Sequence, residues 1–296
     1  MNKKLTIFTP TYNRAHTLSR TYKSIIMQEK KFLSSIEWLI VDDGSSDYTE
    51  KLVEGWKNNF LPFTLRYIKQ SNGGKHTAHN RAILEATGEL FFTVDSDDWL
   101  SKDCLKKIFE CAQYIYHRKD LCGIIALKSL SNKKIIDKPF PNNYTYSSLY
   151  ELSLKGYGGE RSMVFKTEIL KQYPYPIIQG ERFIGESVVY DRLDKNYKYF
   201  ISNNVLTDCE YQEDGLTSNF FKLMMNNAIG YKIYFSQRID IAHNIKWRFH
   251  YAIRYWAFKL MKSDSKYDYN GPHKIILYIS MPIGVLALLY YKIKLL

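Results

Sequence analysis

Apolar runs alternate with amphipathic segments through the first hundred residues. Runs at 5–8, 36–41, 63–68 and 90–94 have the length of buried strands, and apolar residues recur at helical spacing between them. This alternation is typical of a parallel, doubly wound α/β sheet. Because such a sheet brings the ends of its strands to one edge, where ligands bind, we expect the loops that follow these strands to lie together.

All four strands are followed by polar, glycine-rich or acidic loops. These loops are Thr9–Arg14, Asp42–Asp47, Asn72–Lys75 and Asp95–Asp98. The last holds three carboxylates within four residues, and closely placed oxygens suit a hard cation such as Mg²⁺ or Mn²⁺ that is shared with a phosphate. An ordinary acidic turn before a helix capped by Ser101 is the alternative interpretation.

Further strands are predicted at 123–127, 161–165, 199–202 and 205–211, and the pattern becomes helical beyond Asp214-Gly215. We therefore expect two domains. Residues 1–215 would form the ligand-binding α/β domain, and residues 216–296 would form a helical, basic and aromatic C-terminal region.

Four motifs in order, TPTYNR (9–14), VDDGSSD (41–47), NGGKHTAHNRAI (72–83) and VDSDDWL (94–100), resemble those of family 2 glycosyltransferases with the GT-A fold. The resemblance covers about residues 4–215. It implies a Rossmann-like mixed sheet flanked by helices, and an inverting transfer of sugar from a UDP-sugar with the help of a divalent metal, Mn²⁺ or Mg²⁺.

The resemblance also implies roles for individual residues. Asp43 would accept a hydrogen bond from the uracil imide, and one acid of the 95–98 cluster would contact the ribose. The other implied positions are Pro10, Thr11 and Tyr12 at the base, Arg14 at the nucleotide, Lys75 at the diphosphate, Asp95 in the donor site, and Asp97 or Asp98 at the metal.

Inversion requires a base that takes the proton of the acceptor hydroxyl. In the family this residue is an acid at a helix start, upstream of an Arg-Leu pair. Here Gly185-Glu186 precedes Arg192-Leu193, which makes Glu186 the candidate base and the nearby Glu181 its rival. Glu186 would otherwise only favour the N-terminus of its helix electrostatically.

Several other side chains near these motifs have two interpretations. His76 and His79 are more typical of a pocket rim than of metal ligands, and Trp99 fits either an acceptor contact or the core. Arg161 and Arg182 could bind charge on the substrates or form surface ion pairs. The loop at 211–218 could close over the donor, with Gly215 as a hinge, or be a plain turn.

The charge is +12 and is concentrated near the C-terminus, where residues 246–296 carry nine Lys or Arg against two Asp. Residues 245–262 mix cations with aromatic rings, which suits a helix at a membrane interface. The apolar run at 275–291 is interrupted by Pro282 and Gly284, so we expect an interfacial or dipped hairpin rather than a full span. A tail helix packed on the protein or on a second subunit is the alternative. No nucleic-acid motif is visible.

The cysteines lack zinc spacing, and the apolar run at 5–8 is too short for a signal peptide, so we expect a cytoplasmic protein at the inner face of the membrane. The leading hypothesis is transfer of a hexose or N-acetylhexosamine from a UDP-sugar to a saccharide acceptor, lipid-linked through a polyprenyl carrier, in capsule, O-antigen or exopolysaccharide synthesis. A nucleotidyltransferase and a non-catalytic nucleotide-sugar-binding membrane module are the alternatives.

Overall fold

The computed structural model describes residues 4–210 and 220–294, which form two compact units. The first unit comprises residues 4–174 and 196–210, and the second comprises 175–195 and 220–294. The expected boundary near residue 215 lies outside the described residues. The segment 175–195, which the sequence pattern groups with the α/β domain, belongs to the second unit.

The first unit contains the strands and the helices that cover them. In chain order they are β1 (Leu5–Thr11), α1 (Ala15–Ile26), α2 (Lys30–Leu33), β2 (Ile36–Asp42), α3 (Thr49–Lys57), β3 (Thr64–Lys69), α4 (Lys75–Glu85), β4 (Leu90–Thr93), β5 (Trp99–Leu100), α5 (Cys104–Ala112), β6 (Leu121–Leu130), β7 (Tyr146–Ser147), α6 (Leu149–Leu154), β8 (Arg161–Lys166), α7 (Thr167–Leu170) and, after the segment of the second unit, β9 (Lys198–Cys209).

The described strands form one mixed sheet in the order β3-β2-β1-β4-β8-β6-β9-β5, with β7 on β9. The first four strands pair in parallel, as the alternating pattern predicts, whereas β8 runs antiparallel to both β4 and β6. The mixed α/β sheet flanked by helices is therefore confirmed. Parallel pairing carries the ends of β1, β2 and β4 to the same edge.

The central strands are buried because helices cover the sheet, and every residue of β1 and β2 is inaccessible to solvent or nearly so. Trp38 of β2 stacks with Trp56 of α3, which in turn stacks on Tyr22 of α1 with ring centroids 4.3 Å apart. These aromatic contacts fix the helices on the sheet and so fix the loops at its edge.

Two local predictions are wrong in the first unit. The predicted strands at 199–202 and 205–211 are one strand, β9, whose pairing with β6 contains register shifts. Ser101 does not cap the following helix, because α5 begins at Cys104 with Asp103 before it, and the Ser101 hydroxyl donates to the carbonyl of Val205. The cross-strand bond satisfies this hydroxyl instead.

The second unit is helical in its described residues. Its elements are α8 (Ser187–Leu193), α9 (Phe220–Asn226), α10 (Ala228–Ile241), α11 (Ile245–Met261), a 3₁₀ turn (Ser265–Tyr267) and α12 (Lys274–Ile293). Helix α11 packs between α10 and α12, and its side chains Tyr255 and Phe258 are fully buried.

The predicted hairpin in the apolar C-terminal run is wrong, since α12 continues through Pro282. The helix buries Leu277, Ser280, Gly284 and Leu288, a stripe with helical spacing. Trp256 of α11 donates from its indole nitrogen to the carbonyl of Leu277 at 2.6 Å. Contacts with α11 therefore support the helix on both sides of the proline.

Candidate active site

Asn13 joins the loops that follow β1 and β2. Its backbone has φ of 53°, a left-handed conformation that Asn tolerates better than most residues. Its side-chain oxygen accepts a hydrogen bond from the backbone N–H of Ser46 at 2.8 Å, and its own backbone N–H donates to the Ser45 hydroxyl at 2.8 Å. The two loops are thus held as one wall at the sheet edge.

Asp43 joins the β2 loop to the segment before α4. One carboxylate oxygen accepts from the side-chain nitrogen of Gln70 at 2.8 Å and from the backbone N–H of Gly73 at 2.9 Å. The other accepts from the N–H of Gly74 at 2.7 Å. A carboxylate oxygen accepts two hydrogen bonds readily, so the second oxygen retains acceptor capacity for a ligand.

The other expected nucleotide residues also lie at this edge. Pro10 and Thr11 end β1, where the Thr11 hydroxyl is buried and has no hydrogen-bond partner among the described residues. Tyr12 is half exposed, and Arg14 directly precedes α1. A buried polar group without a partner and an exposed ring are both features of a ligand site.

Two lysines neutralise part of the acidic cluster. Lys75, the first residue of α4, lies 2.8 Å from a carboxylate oxygen of Asp95. Lys128 of β6 lies 2.7 Å from Asp98, and these two side chains are only 14% and 8% exposed. The cluster is therefore a network of carboxylates and ammonium groups.

Burial and neighbouring charges shift the pKa of each acid differently. Burial opposes ionisation of Asp95, but Lys75 and Lys128 outweigh it and lower its pKa. Burial, with the charge of Asp95, raises the pKa of Asp97. Burial likewise raises the pKa of Asp98 to about 7, against the attraction of Lys128. Packing these acids together is costly unless a cation compensates for it.

A divalent cation fits this cluster only in part. In residues 4–210 and 220–294 no group of three or more His, Cys, Asp or Glu side chains could hold a metal ion. Since Lys75 and Lys128 contact Asp95 and Asp98, Asp97 is the remaining carboxylate. Mg²⁺ and Mn²⁺ commonly use one or two carboxylates together with substrate phosphates, and the cluster fits a cation held in that way.

Lys128 was not recognised from the sequence. It directly follows the buried residues Ile124–Leu127 and lies where the β6–β9 register shifts. Such irregularities redirect side chains. The sequence indicated only a single lysine after an apolar run. Its partner, Asp98, lies thirty residues earlier in the chain, so local sequence did not connect the two.

The histidines are not at a pocket rim, and this expectation is wrong. His76 and His79 are 2% and 5% exposed. His79 packs edge-on against Phe8 and Phe91, and burial lowers its pKa to about 3. The imidazole of His79 is therefore a neutral core group.

Trp99 and Arg161 have partners within the first unit. The guanidinium of Arg20 lies 4.8 Å from the centroid of the Trp99 ring, which is a cation–π contact. Arg161 forms an ion pair with Asp137 and is nearly buried. The carboxylate of Asp137 therefore compensates the charge of Arg161 within the protein.

The two candidate bases have different environments in the second unit. The side chain of Glu181 is fully buried, and its two oxygens accept from the backbone N–H groups of Ile229 and Gly230 at 2.8 Å each. These amides belong to the first turn of α10, so Glu181 stabilises the start of that helix. Glu186 is exposed and directly precedes α8.

Arg182, also exposed, donates a hydrogen bond from its backbone N–H to the side-chain oxygen of Asn227. The loop at 211–218 lies outside the described residues.

Sequence comparison relates this chain to sugar-transferring enzymes. Residues 6–149 match the family model described as Glycosyl transferase family 2. The chain is 27% identical over 169 residues to the poly(ribitol-phosphate) β-N-acetylglucosaminyltransferase TarS of Staphylococcus aureus, which covers 57% of this chain and 28% of TarS. It is 24% identical over 281 residues to an Escherichia coli protein, the UDP-Glc:α-D-GlcNAc-diphosphoundecaprenol β-1,3-glucosyltransferase WfgD, with 91% and 98% covered. The matched segment is thus under a third of TarS but nearly all of WfgD.

Solved structures share the fold. TarS 1–349 in complex with UDP-GlcNAc aligns with a TM-score of 0.62 at 17% identity, over 96% of this chain and 89% of that one. The mannosyltransferase PcManGT from Pyrobaculum calidifontis, in complex with GDP-Man and Mn²⁺, aligns with a TM-score of 0.53 at 17% identity, over 97% and 74%. Both have the mixed α/β architecture described above.

Proposed function

Because this chain belongs to the family 2 glycosyltransferases, we propose that it transfers a hexose or N-acetylhexosamine from a UDP-sugar to a lipid-linked saccharide, with inversion and with a divalent cation. The observation that carries this proposal is the joined edge of the sheet. There Asp43, after β2, keeps acceptor capacity within a loop fixed by Gly73 and Gly74, and the acidic cluster follows β4, which lies two strands away in the sheet.

The donor would be held by groups of complementary chemistry. Asp43 accepts a hydrogen bond from the uracil imide, and the ring of Tyr12 stacks on the base. Lys75 and Arg14 supply cationic groups for the diphosphate. Asp95, ionised beside Lys75, accepts from a ribose hydroxyl.

Asp97 would hold the cation together with the diphosphate oxygens, and Asp98 is the second candidate ligand. A bound divalent cation supplies Lewis-acid stabilisation of the nucleoside diphosphate as it leaves. PcManGT, which shares this fold, was solved in complex with GDP-Man and Mn²⁺. That complex supports Mn²⁺ as the first ion to test.

Glu186 is the preferred base for the acceptor hydroxyl. An exposed carboxylate at a helix start can accept a proton from an acceptor, whereas Glu181 already accepts two backbone hydrogen bonds in a fully buried position. TarS is a β-N-acetylglucosaminyltransferase and WfgD is a β-1,3-glucosyltransferase, which supports inversion because UDP-glucose carries its sugar in the α configuration.

The acceptor is proposed to be lipid-linked at the cytoplasmic face of a membrane, in the synthesis of a surface polysaccharide. One described helix, α12, is long and apolar enough to cross a membrane by length and composition. One face packs on α11, however, and α11 carries Arg248, Arg254 and Lys259. Burying that helix in hydrocarbon would be costly, so an orientation in the plane of the interface is favoured.

The opposite face of α12 provides the apolar surface for such contact. Its exposed side chains include Ile275, Tyr278, Ile279, Ile283, Leu286, Leu289, Tyr290 and Ile293. Exposed lysines stand at both ends of the helix, at 274, 292 and 294. Basic residues near an anionic leaflet each contribute about 1 kcal/mol of attraction. WfgD, whose name specifies a diphosphoundecaprenol acceptor, matches nearly the whole chain and supports this acceptor class.

The test is product formation from a panel of UDP-sugars with Mn²⁺ and a polyprenyl-diphosphate saccharide. We expect UDP release and a β-linked product, which NMR of the anomeric proton identifies. Asp97→Asn and Glu186→Gln should each reduce turnover at least a hundredfold, while Glu181→Gln should mainly lower stability. Release of pyrophosphate would instead indicate a nucleotidyltransferase, and UDP binding without turnover would indicate a non-catalytic module.

A further inference from the structure

We propose that Lys128 is a built-in counter-ion that keeps Asp98 from binding a divalent cation until the donor diphosphate is present. Metal binding would then depend on the nucleotide. This inference rests on the proposed function, because it concerns the metal site of that reaction.

The contact between Lys128 and Asp98 carries the proposal. The ammonium nitrogen lies 2.7 Å from Oδ2 of Asp98, and a second acid, Glu160, is 3.5 Å from the same nitrogen. With both side chains nearly buried, solvent screens this pair weakly. An ammonium group at hydrogen-bonding distance from a carboxylate oxygen occupies the space that a metal ion bound to that oxygen would need.

The fold holds both partners of this ion pair in place. The backbone N–H of Asp98 donates to the carbonyl of Asp95 at 3.0 Å, and its own carbonyl accepts from the hydroxyl of Thr21 at 2.7 Å. Lys128 is held in β6 between β8 and β9, at the register shift. The pairing therefore does not depend on a chance rotamer of an exposed side chain.

The charges of the cluster give the consequence. The charged groups of the cluster are four carboxylates, of Asp95, Asp97, Asp98 and Glu160, and three cations, of Lys75, Lys128 and Arg14, which leaves one net negative charge. A site of this charge with one uncommitted carboxylate attracts a divalent cation weakly. A diphosphate adds negative charge and oxygen ligands, so the cation and the donor should bind together.

Titration calorimetry with Mn²⁺ alone tests the proposal, and the electron paramagnetic resonance signal of free Mn²⁺ gives a second readout. The intact wild-type chain should bind Mn²⁺ weakly without nucleotide and at least tenfold more tightly with UDP. Lys128→Met should increase affinity for Mn²⁺ alone at least tenfold, and Lys128→Gln should do the same if methionine disturbs folding. Lys128→Arg, which keeps the charge, should behave like wild type.

Lys133→Met is the matched control. Lys133 also pairs with a buried aspartate, Asp208 at 2.6 Å, but that aspartate is not in the acidic cluster. This variant should not change Mn²⁺ affinity. Adding Asp98→Asn to Lys128→Met should abolish the gain, because the released carboxylate is then missing.

The outcomes separate the two proposals. If the wild type binds UDP and Mn²⁺ together but Lys128→Met and Lys128→Gln bind Mn²⁺ alone no more tightly, the role of Lys128 is wrong and the proposed function stands. If the wild type binds neither UDP nor Mn²⁺ in the presence of UDP, the donor site itself is wrong, and the inference falls with it.

Discussion

Asp43 Oδ2 accepts a hydrogen bond from the backbone N–H of Gly74 at 2.7 Å, which joins the end of β2 to the start of α4. Gly74 has φ of 94°, a conformation that favours glycine, and the carboxylate stabilises it from the neighbouring loop. Asp43 therefore has a structural role in addition to its proposed contact with the base.

Asp43→Asn should weaken UDP binding at least tenfold and lower the free energy of unfolding by about 1–3 kcal/mol. In the variant an NH₂ group replaces one carboxylate oxygen. This group cannot accept a hydrogen bond from the N–H of Gly74 or from the uracil imide. Calorimetry with UDP and urea unfolding measure the two effects. Asp120→Asn, at an exposed ion pair with Arg118, is the control and should change neither quantity. Unchanged UDP affinity in Asp43→Asn would contradict the donor assignment.

Asn13 offers a separate test of how the nucleotide loops are held. Asn13→Gly keeps the left-handed backbone but loses the hydrogen bonds to Ser46, whereas Asn13→Ala loses these bonds and adds backbone strain. Both variants should weaken UDP binding, and Asn13→Ala should be less stable than Asn13→Gly by about 1 kcal/mol. Equal stability of the two would show that the left-handed conformation has no cost here.

His79 should make the protein sensitive to acid. Its pKa is about 3 in the folded state, below its value near 6.5 in an unfolded chain, so the unfolded state binds more protons between these values. The stability from neutral His79 is present above pH 6.5 and is lost as the pH falls towards 3, at up to about 1.4 kcal/mol per pH unit.

Urea unfolding between pH 7 and pH 4 measures this dependence. His79→Gln removes the titrating group and should give a shallower loss of stability over that range. The exposed His16→Gln is the control and should retain the wild-type profile. Identical profiles for wild type and His79→Gln would mean that other groups cause the acid sensitivity.

Gly284 is required for the contact between α11 and α12. A Cβ built on Gly284 would lie 2.4 Å from the Cβ of Trp256, which leaves no room for a side chain. Gly284→Val should therefore destabilise the helical unit by about 1–3 kcal/mol through overpacking. Gly55→Ala, in α3, is the opposite case because a Cβ there meets nothing within 4 Å. It should stabilise the chain by about 0.5–1 kcal/mol.

The exposed face of α12 determines the proposed membrane contact. Ile279→Glu combined with Leu286→Glu should reduce binding to vesicles of phosphatidylcholine and phosphatidylglycerol at least tenfold, because two charges would enter the apolar interface. Phe60→Glu, at a fully exposed phenylalanine of the first unit, is the matched control and should bind as wild type does. Vesicle flotation measures the binding. If all three proteins float equally with the vesicles, or if the wild type does not float with them, the exposed face of α12 is not a membrane contact.

Local sequence was sufficient for the strand–helix alternation and for the loops at the edge of the sheet. Strands of alternating α/β units end at one edge, so four motifs separated by up to eighty residues could be assigned to one place. A helix was also expected at 245–262 from its composition, and α11 spans Ile245–Met261. These features depend on periodicity and on residue type, which the chain carries locally.

The tertiary structure decided the partners of the charged groups and the course of α12. Lys128 reaches Asp98 because β6 is ordered two strands from β4, and burial of Glu181 depends on a helix that begins 47 residues later. Pro282 and Gly284 suggest a break when read in sequence, but packing against Trp256 keeps the helix continuous. Sequence alone determined which residue types stand at the strand ends. Packing acts between segments that are distant in the chain, so only the tertiary structure decided which charges are already neutralised and which remain for a ligand.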